Sequence, residues 1–189
     1  MFVARGFRKR ALAFHRRTGE NFSVVQFQKS QSSDARSLTF TINLGVFSAR
    51  LQRELDPIVG LPDVKGVPNE LACHLRRRIG PLLPERRDTW WRVGVDSAPS
   101  EIASTVMGVL EQTAFPFLDA LTTDEALRDF LLSNTPHDRN EELALVILVR
   151  DLESCAAARA LLDRFRAAAP SNAIWHFSAL DRLEKTLDR

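Results

Sequence analysis

Apolar and polar positions alternate through the stretch NFSVVQFQKSQSSDARSLTFTINLGVFS, residues 21–48, in two runs joined by a polar spacer. In the second run Leu38, Phe40, Ile42, Leu44 and Val46 share one parity and Thr39, Thr41 and Asn43 the other, the period-two signature of a half-buried antiparallel strand. The first run predicts a strand over 22–29. Its Val25 and Phe27 point inward when Gln26 and Gln28 point outward, because a one-residue slip would exchange the faces wholesale. Leu12 and Phe14 alternate with smaller or polar groups and predict a strand over 9–16, followed by a hairpin turn at 18–21. A fourth strand is expected over 89–95, where Trp91, Val93 and Val95 oppose Trp90 and Arg92. One face of this sheet must be buried. The other, with Gln26, Gln28, Thr39, Thr41 and Asn43, either braces the sheet or receives a partner.

Between the third and fourth strands, Pro57, Pro62, Pro68, Pro81 and Pro84 interrupt any long element, and residues 69–79 read as one short helix closed by Gly80 and Pro81. From Pro99 onward the period becomes helical. Ile102, Val106, Val109, Leu110, Phe117 and Leu121 make a stripe that Pro116 kinks or divides. Thr-Thr-Asp-Glu at 122–125 reads as a capping box opening a helix through Leu132. After a loop at 134–138, residues 141–149 are apolar nearly all round and predict a central helix. A break at 151–154 leads to an Ala-rich helix ending near 169–170. A last helix over about 172–187 carries Ile174, Phe177, Leu180, Leu183 and Leu187 as its buried stripe. The expected fold class is α+β: a four-stranded antiparallel sheet packed on helices, with a C-terminal antiparallel helical layer.

A length of 189 residues with 44% apolar composition is enough for one sizeable core. The net charge of +2 conceals an asymmetry: residues 1–94 hold 17 Lys+Arg against 8 Asp+Glu, a net +9, and residues 95–189 hold 9 against 16, a net −7. Hence the expected organisation is a basic sheet half at 1–97 and an acidic all-helical half at 98–189, packed as one domain. Charges interrupt the N-terminal MFVARGFRKRALAF, and no apolar run approaches the roughly 20 residues of a membrane span, so a soluble cytoplasmic protein is expected. Cys73 and Cys155 lack the spacing of a disulfide framework or zinc site and are expected as reduced, buried thiols in helical segments.

Little in the chain points to catalysis. His15, His74, His137 and His176 are scattered, no nucleophile elbow or phosphate loop is present, and the expectation is a non-enzyme without metal or cofactor. Two charged sets remain as candidates for recognition. Arg8, Lys9, Arg10, Arg16 and Arg17 flank the first strand, and Arg76, Arg77, Arg78, Arg86, Arg87 and Arg92 gather before and within the fourth. If these meet on the sheet, chiefly Arg76, Arg77, Arg78 and Arg92, they could contact phosphates, with Trp90 stacking on a base. On the acidic side Asp119, Asp124, Glu125 and Asp129 lie on or beside the capped helix, and Asp138, Glu141 and Glu142 at the next helix start.

Four stretches carry a family likeness: Arg5-Gly6-Phe7-Arg8-Lys9-Arg10 followed by Phe14; Val25-Gln26-Phe27-Gln28-Lys29-Ser30; Thr41-Ile42-Asn43-Leu44-Gly45-Val46; and Arg76-Arg77-Arg78-Ile79-Gly80 with Trp90-Trp91. Together, over about the first 95 residues, they resemble the bacterial domain of unknown function 4304. The resemblance implies that Gln28, Lys29, Asn43, Gly45 and Trp91 belong to a shared framework, and it brings no catalytic residues. The leading functional expectation is an immunity or inhibitor protein that neutralises a basic toxin through its acidic surface by protein–protein binding. The alternative is an RNA- or DNA-binding module using the basic sheet half.

Overall fold

In the computed structural model, which describes residues 1–60, 63–95, 97–170 and 174–187 (backbone alone at 174–176), the run at 38–46 is the centre of a six-stranded antiparallel sheet. Strands β1 (Arg8–Arg10), β2 (Ala13–Thr18), β3 (Asn21–Lys29) and β4 (Ser37–Phe47) form an antiparallel meander. On the far edge of β4, β5 (Leu75–Arg78) pairs with residues 43–46 and β6 (Trp91–Gly94) with residues 37–40. Between these short strands the Ile79 amide donates to the Ile42 carbonyl at 2.9 Å, and the Thr41 hydroxyl donates to the Thr89 carbonyl at 2.8 Å. The edge of β4 thus stays bonded across the gap.

The antiparallel sheet packed on helices is as expected, but it has two more strands than the four the pattern predicts. The strand expected over 9–16 is a hairpin: Arg10 pairs with Ala13, and Ala11 turns the chain at φ 52°. That left-handed backbone favours Gly, so an alanine there gives no turn signal in the sequence. The helix expected over 69–79 is a single 3-10 turn, Glu70–Ala72, capped by the Asn69 side chain and followed by β5. Period two prevails here. Leu75, Arg77 and Ile79 are 1%, 6% and 0% exposed, whereas Arg76 between them is open to solvent. The strand pairing supplies the second edge of β4 with hydrogen-bond partners that a helix would have denied it.

Nor is β4 a half-buried strand. Every residue from Thr41 to Phe47 is buried, Thr41 completely, while Leu38 on the apolar parity is 42% exposed. Both faces of its C-terminal half are covered. On the apolar face Phe14, Phe27, Phe40 and Trp91 form a row of ring contacts with centroids 6.0, 5.9 and 5.8 Å apart. Phe2 stacks on Phe14 and meets Phe115 edge to face, closing that side. On the opposite face Cys73 sits directly over Gly45, where a Cβ would stand 2.5 Å from its sulfur. Burial pushes the Cys73 thiol well above the usual range, so it stays protonated. Cys155, expected to be buried, is exposed at the start of its helix.

The chain forms two compact units: Met1–Phe47 with Val67–Thr122, and Ser48–Gly66 with Thr123–Arg189. Neither boundary falls at residue 97. The first unit holds 14 Lys+Arg against 9 Asp+Glu, a net +5, and the second 12 against 15, a net −3. In the first unit α3 (Pro99–Val109) packs against β6, and α4 (Phe115–Asp119) packs against β4. A π-helical turn, Leu110–Ala114, joins them, with the Phe115 amide donating to the Leu110 carbonyl. Pro116 lacks an N–H and its ring crowds the preceding turn, so the helix widens just before it. This is the division of the stripe that Pro116 predicts.

The second unit is built on α6 (Arg139–Leu152), against which pack α1 (Ala49–Glu54), α5 (Asp124–Ser133), α7 (Cys155–Ala168) and α8 (Ile174–Leu187). The short α2 (Asp56–Val59) packs on α8. Residues 143–149 of α6 are all buried, as a helix apolar all round requires. Thr123, one residue later than expected, caps α5 by accepting the Ala126 amide at 3.2 Å. Glu125 therefore does not sit at the reciprocal position of a capping box. Asp138 and Ser154 cap α6 and α7 in the same way. On α8, Leu180, Leu183 and Leu187 are buried, while the expected start near 172 and the side chains of Ile174 and His176 lie outside the described residues.

Candidate functional site

The register of the sheet lays out one polar surface. Arg10, Ala13, Gln26, Asn43 and Arg78 are successive partners from β1 to β5, so their side chains project from the same face. Gln28 opposite Thr41, and Thr39 opposite Arg92, extend that face toward β6. The Asn43 amide donates to Gln28 Oε1 at 2.7 Å, and Asn43 is only 8% exposed, so this pair braces β3 against β4. Gln26 and Gln28 are half-buried, and Arg10 and Arg92 are exposed at the two sides. The face thus has a rigid amide floor between two cationic margins.

Beyond β4 the surface gains an aromatic group. Trp90 Nε1 donates to Asp88 at 2.8 Å, and Arg78 Nη1 donates to both oxygens of the same carboxylate at 3.1 Å. The Arg78 guanidinium lies 5.3 Å from the Trp90 ring centroid, in cation–π contact, and Trp90 remains 36% exposed. The Trp90 hydrogen bond, with help from Arg78, holds the Asp88 carboxyl below the usual carboxylate range. Beside this cluster opens a cavity of about 730 Å3, bounded by the 83–91 segment on one side and by Thr105, Val109, Gln112 and Thr113 on the other.

Of the basic residues singled out in the sequence, Arg76, Arg78, Arg92 and Trp90 share this surface. Arg77 does not. It is the partner of Leu44 and projects from the opposite face, 6% exposed, with Nη1 donating to the Arg76 carbonyl at 2.8 Å. Arg76 is held by Glu70 at 2.8 Å. Arg10, one of the basic residues expected to flank the first strand, joins the surface through the β1–β2 hairpin, which the sequence does not announce because its turn carries no Gly or Asn.

Arg10 also acts on its neighbour His15, which is 7% exposed on the same face. Burial, and then the charge of Arg10, lower the His15 pKa below the usual histidine range. His15 is therefore neutral in the fold and binds a proton more readily when unfolded, so stability should decline as pH falls below about 6.5 and through the folded-state pKa. Replacing Arg10 with Gln should raise the His15 pKa, measured by NMR titration of the ring protons. An unchanged value would place the Arg10 charge elsewhere.

The acidic candidates are largely engaged within their own units. Asp119 binds Arg16 at 2.6 Å and Arg5 at 3.8 Å, and Asp124 binds Arg50 at 2.9 Å. Asp129 pairs with Arg128 at 2.7 Å, and Asp138 is the α6 cap, accepting the Glu141 amide at 3.0 Å. Glu141, expected as a surface contact, is 2% exposed, and its carboxylate accepts the His137 amide at 2.9 Å. Burial raises the Glu142 pKa. Glu125 is exposed in the first turn of α5, where its charge, with those of Asp129 and Glu153, helps raise the Arg128 pKa.

A family model described as Domain of unknown function (DUF4304) matches residues 1–120. The chain belongs to the DUF4304 family. The match runs past the 95 residues that carry the visible resemblance and takes in α3, the π turn and α4, which pack with the sheet. Gln28, Asn43 and Gly45, three of the framework positions that the resemblance implies, are the bracing pair and the glycine beneath Cys73. Among curated proteins and among solved structures nothing matches. No helix among the described residues is long and apolar enough to cross a membrane, and no cluster among them is placed to hold a metal ion.

Proposed function

We propose that this DUF4304 protein is a non-enzymatic binding module that takes single-stranded nucleic acid on the polar face of its sheet. The observation that carries the reading is the line from Arg10 through Gln26 and Asn43 to Arg78, ending at the exposed Trp90. Cations at the margins suit phosphates, the half-buried Gln26 and Gln28 amides suit base edges, and an exposed indole suits a base ring. The net +5 of the unit bearing this face favours a polyanion. Two free thiols, Cys73 and Cys155, suit a reducing cytoplasmic compartment.

An inhibitor that meets a basic toxin through an acidic surface has less support. It would need Asp119, Asp124, Asp129 and Glu141 to be offered outward, and all four have partners within their own units. The test compares fluorescence anisotropy of labelled single-stranded and duplex oligonucleotides of equal length. Single strands should bind more tightly, and Trp90→Ala should weaken them by about tenfold, in line with the roughly 1–3 kcal/mol of a base stacked on an aromatic ring. A preference for duplex, or an unaltered affinity in the variant, would count against a stacking face.

A further inference from the structure

The cavity beside Trp90 has a composition that the sheet face does not explain. Thr105, Val109, Gln112 and Thr113 line one wall from α3 and the π turn, Trp90 and Trp91 form part of the other, and Asp88 and Arg87 stand on that same side. Its volume of about 730 Å3 lies within the roughly 300–1,000 Å3 of small-molecule sites. The side chains fall into three chemical kinds. Indole rings offer stacking surface, Val109 adds apolar contact, and Gln112 with Thr113 offers paired donor and acceptor capacity.

The position of the polar wall follows from the helix. Residues 105, 109, 112 and 113 are spaced to share one helical face, and the π turn at Leu110–Ala114 ends where Pro116 forbids an ordinary ladder bond. Turns of this kind occur often at functional sites. Gln112 is exposed on the first unit's surface, so its amide meets solvent until something enters the cavity. The opposite wall is fixed. Trp91 stacks on Phe40 with centroids 5.8 Å apart, and Asp88 is tied to both Trp90 and Arg78.

Resting on the reading of the sheet face as a strand-binding surface, we infer that this cavity receives one unstacked base of the bound strand and gives the protein its base preference. Phosphates would follow the cationic margin at Arg92, the base ring would lie against the tryptophans, and its edge would meet the Gln112 amide and Thr113 hydroxyl. An amide presents a fixed donor and acceptor, so it distinguishes bases by the pattern on their edges. The sheet face then sets affinity and the cavity sets selection.

Tryptophan fluorescence titrations with four homopolymeric RNA oligonucleotides of equal length, and with an abasic oligonucleotide, test the assignment. One base should bind at least about fivefold more tightly than the weakest, within the range of one good hydrogen-bonded contact. Gln112→Ala, which replaces an exposed residue with a good helix former, should level the four affinities while leaving their salt dependence intact, and Thr113→Val should shift them in the same direction. Four equal affinities in the unaltered protein, or a preference that survives both substitutions, would overturn the base cavity and leave the sheet reading standing. If no oligonucleotide binds, the sheet reading fails, and nucleoside monophosphates decide the cavity alone: quenching lost in Gln112→Ala supports it, and no quenching overturns it.

Discussion

Gly80→Ala is expected to destabilise the sheet-bearing unit by about 3 kcal/mol, a loss at the upper end for single substitutions. A Cβ at this position would stand 2.8 Å from the Thr89 amide nitrogen and closer still to the Arg87 carbonyl oxygen. Both are backbone atoms, so no flexible side chain can move aside, and overpacking of this kind forces the chain to shift. The displaced segment would be 87–89. Its Thr89 carbonyl receives the Thr41 hydroxyl, and Asp88 holds Arg78 and Trp90. One methyl group should therefore lower the urea midpoint and also disorder the aromatic end of the candidate interface. A variant that melts with the unaltered protein would show that the 80–89 segment yields without cost, and the fixed placement of Asp88 and Trp90 at the aromatic end would be gone.

Charge reversal on the two margins, Arg10→Glu with Arg92→Glu, should lower the affinity for a short single strand by about 30-fold, given the share of such binding that phosphate contacts supply. Both side chains are exposed, so the fold should be little disturbed. Lys185→Glu on α8 is the matched control, because it changes net charge equally per residue and belongs to the second unit, whereas the sheet belongs to the first. A similar loss from reversal at Lys185 would mean that binding follows total charge and has no particular face. Selective loss at Arg10 and Arg92 identifies the surface.

What the sequence discloses, and what it hides, divides along physical lines. The period-two run at 38–46 locates β4, and the run at 141–149 locates the buried helix of the second unit, because burial on a regular element leaves a regular pattern. β5 is hidden because three consecutive arginines mask its alternation, although Leu75 and Ile79 on its inner side keep the parity. The β1–β2 hairpin is hidden because Ala11 occupies a left-handed turn position without the residue that usually announces one. The polar face is legible in Gln26, Gln28 and Asn43, and Arg10, Arg78 and Trp90 stand among the basic-patch candidates. That the two sets share one face is not legible, since those three reach it only through pairing partners and a segment distant in sequence. The acidic residues show the reverse difficulty: sequence counts their charge but does not disclose that Arg16, Arg50 and Arg128 already take it up.

The salt dependence of single-strand binding tests the central claim most directly. Affinity for a labelled oligonucleotide, followed by anisotropy from low to physiological ionic strength, should fall with a slope of log K against log salt of about −2 to −3, as three or four phosphate contacts at roughly 0.7 each require. The double reversal at Arg10 and Arg92 should flatten that slope by more than one unit. Absence of salt-sensitive binding even at low ionic strength, or a slope that the reversal leaves unchanged, would contradict the assignment of the polar sheet face as a nucleic-acid surface.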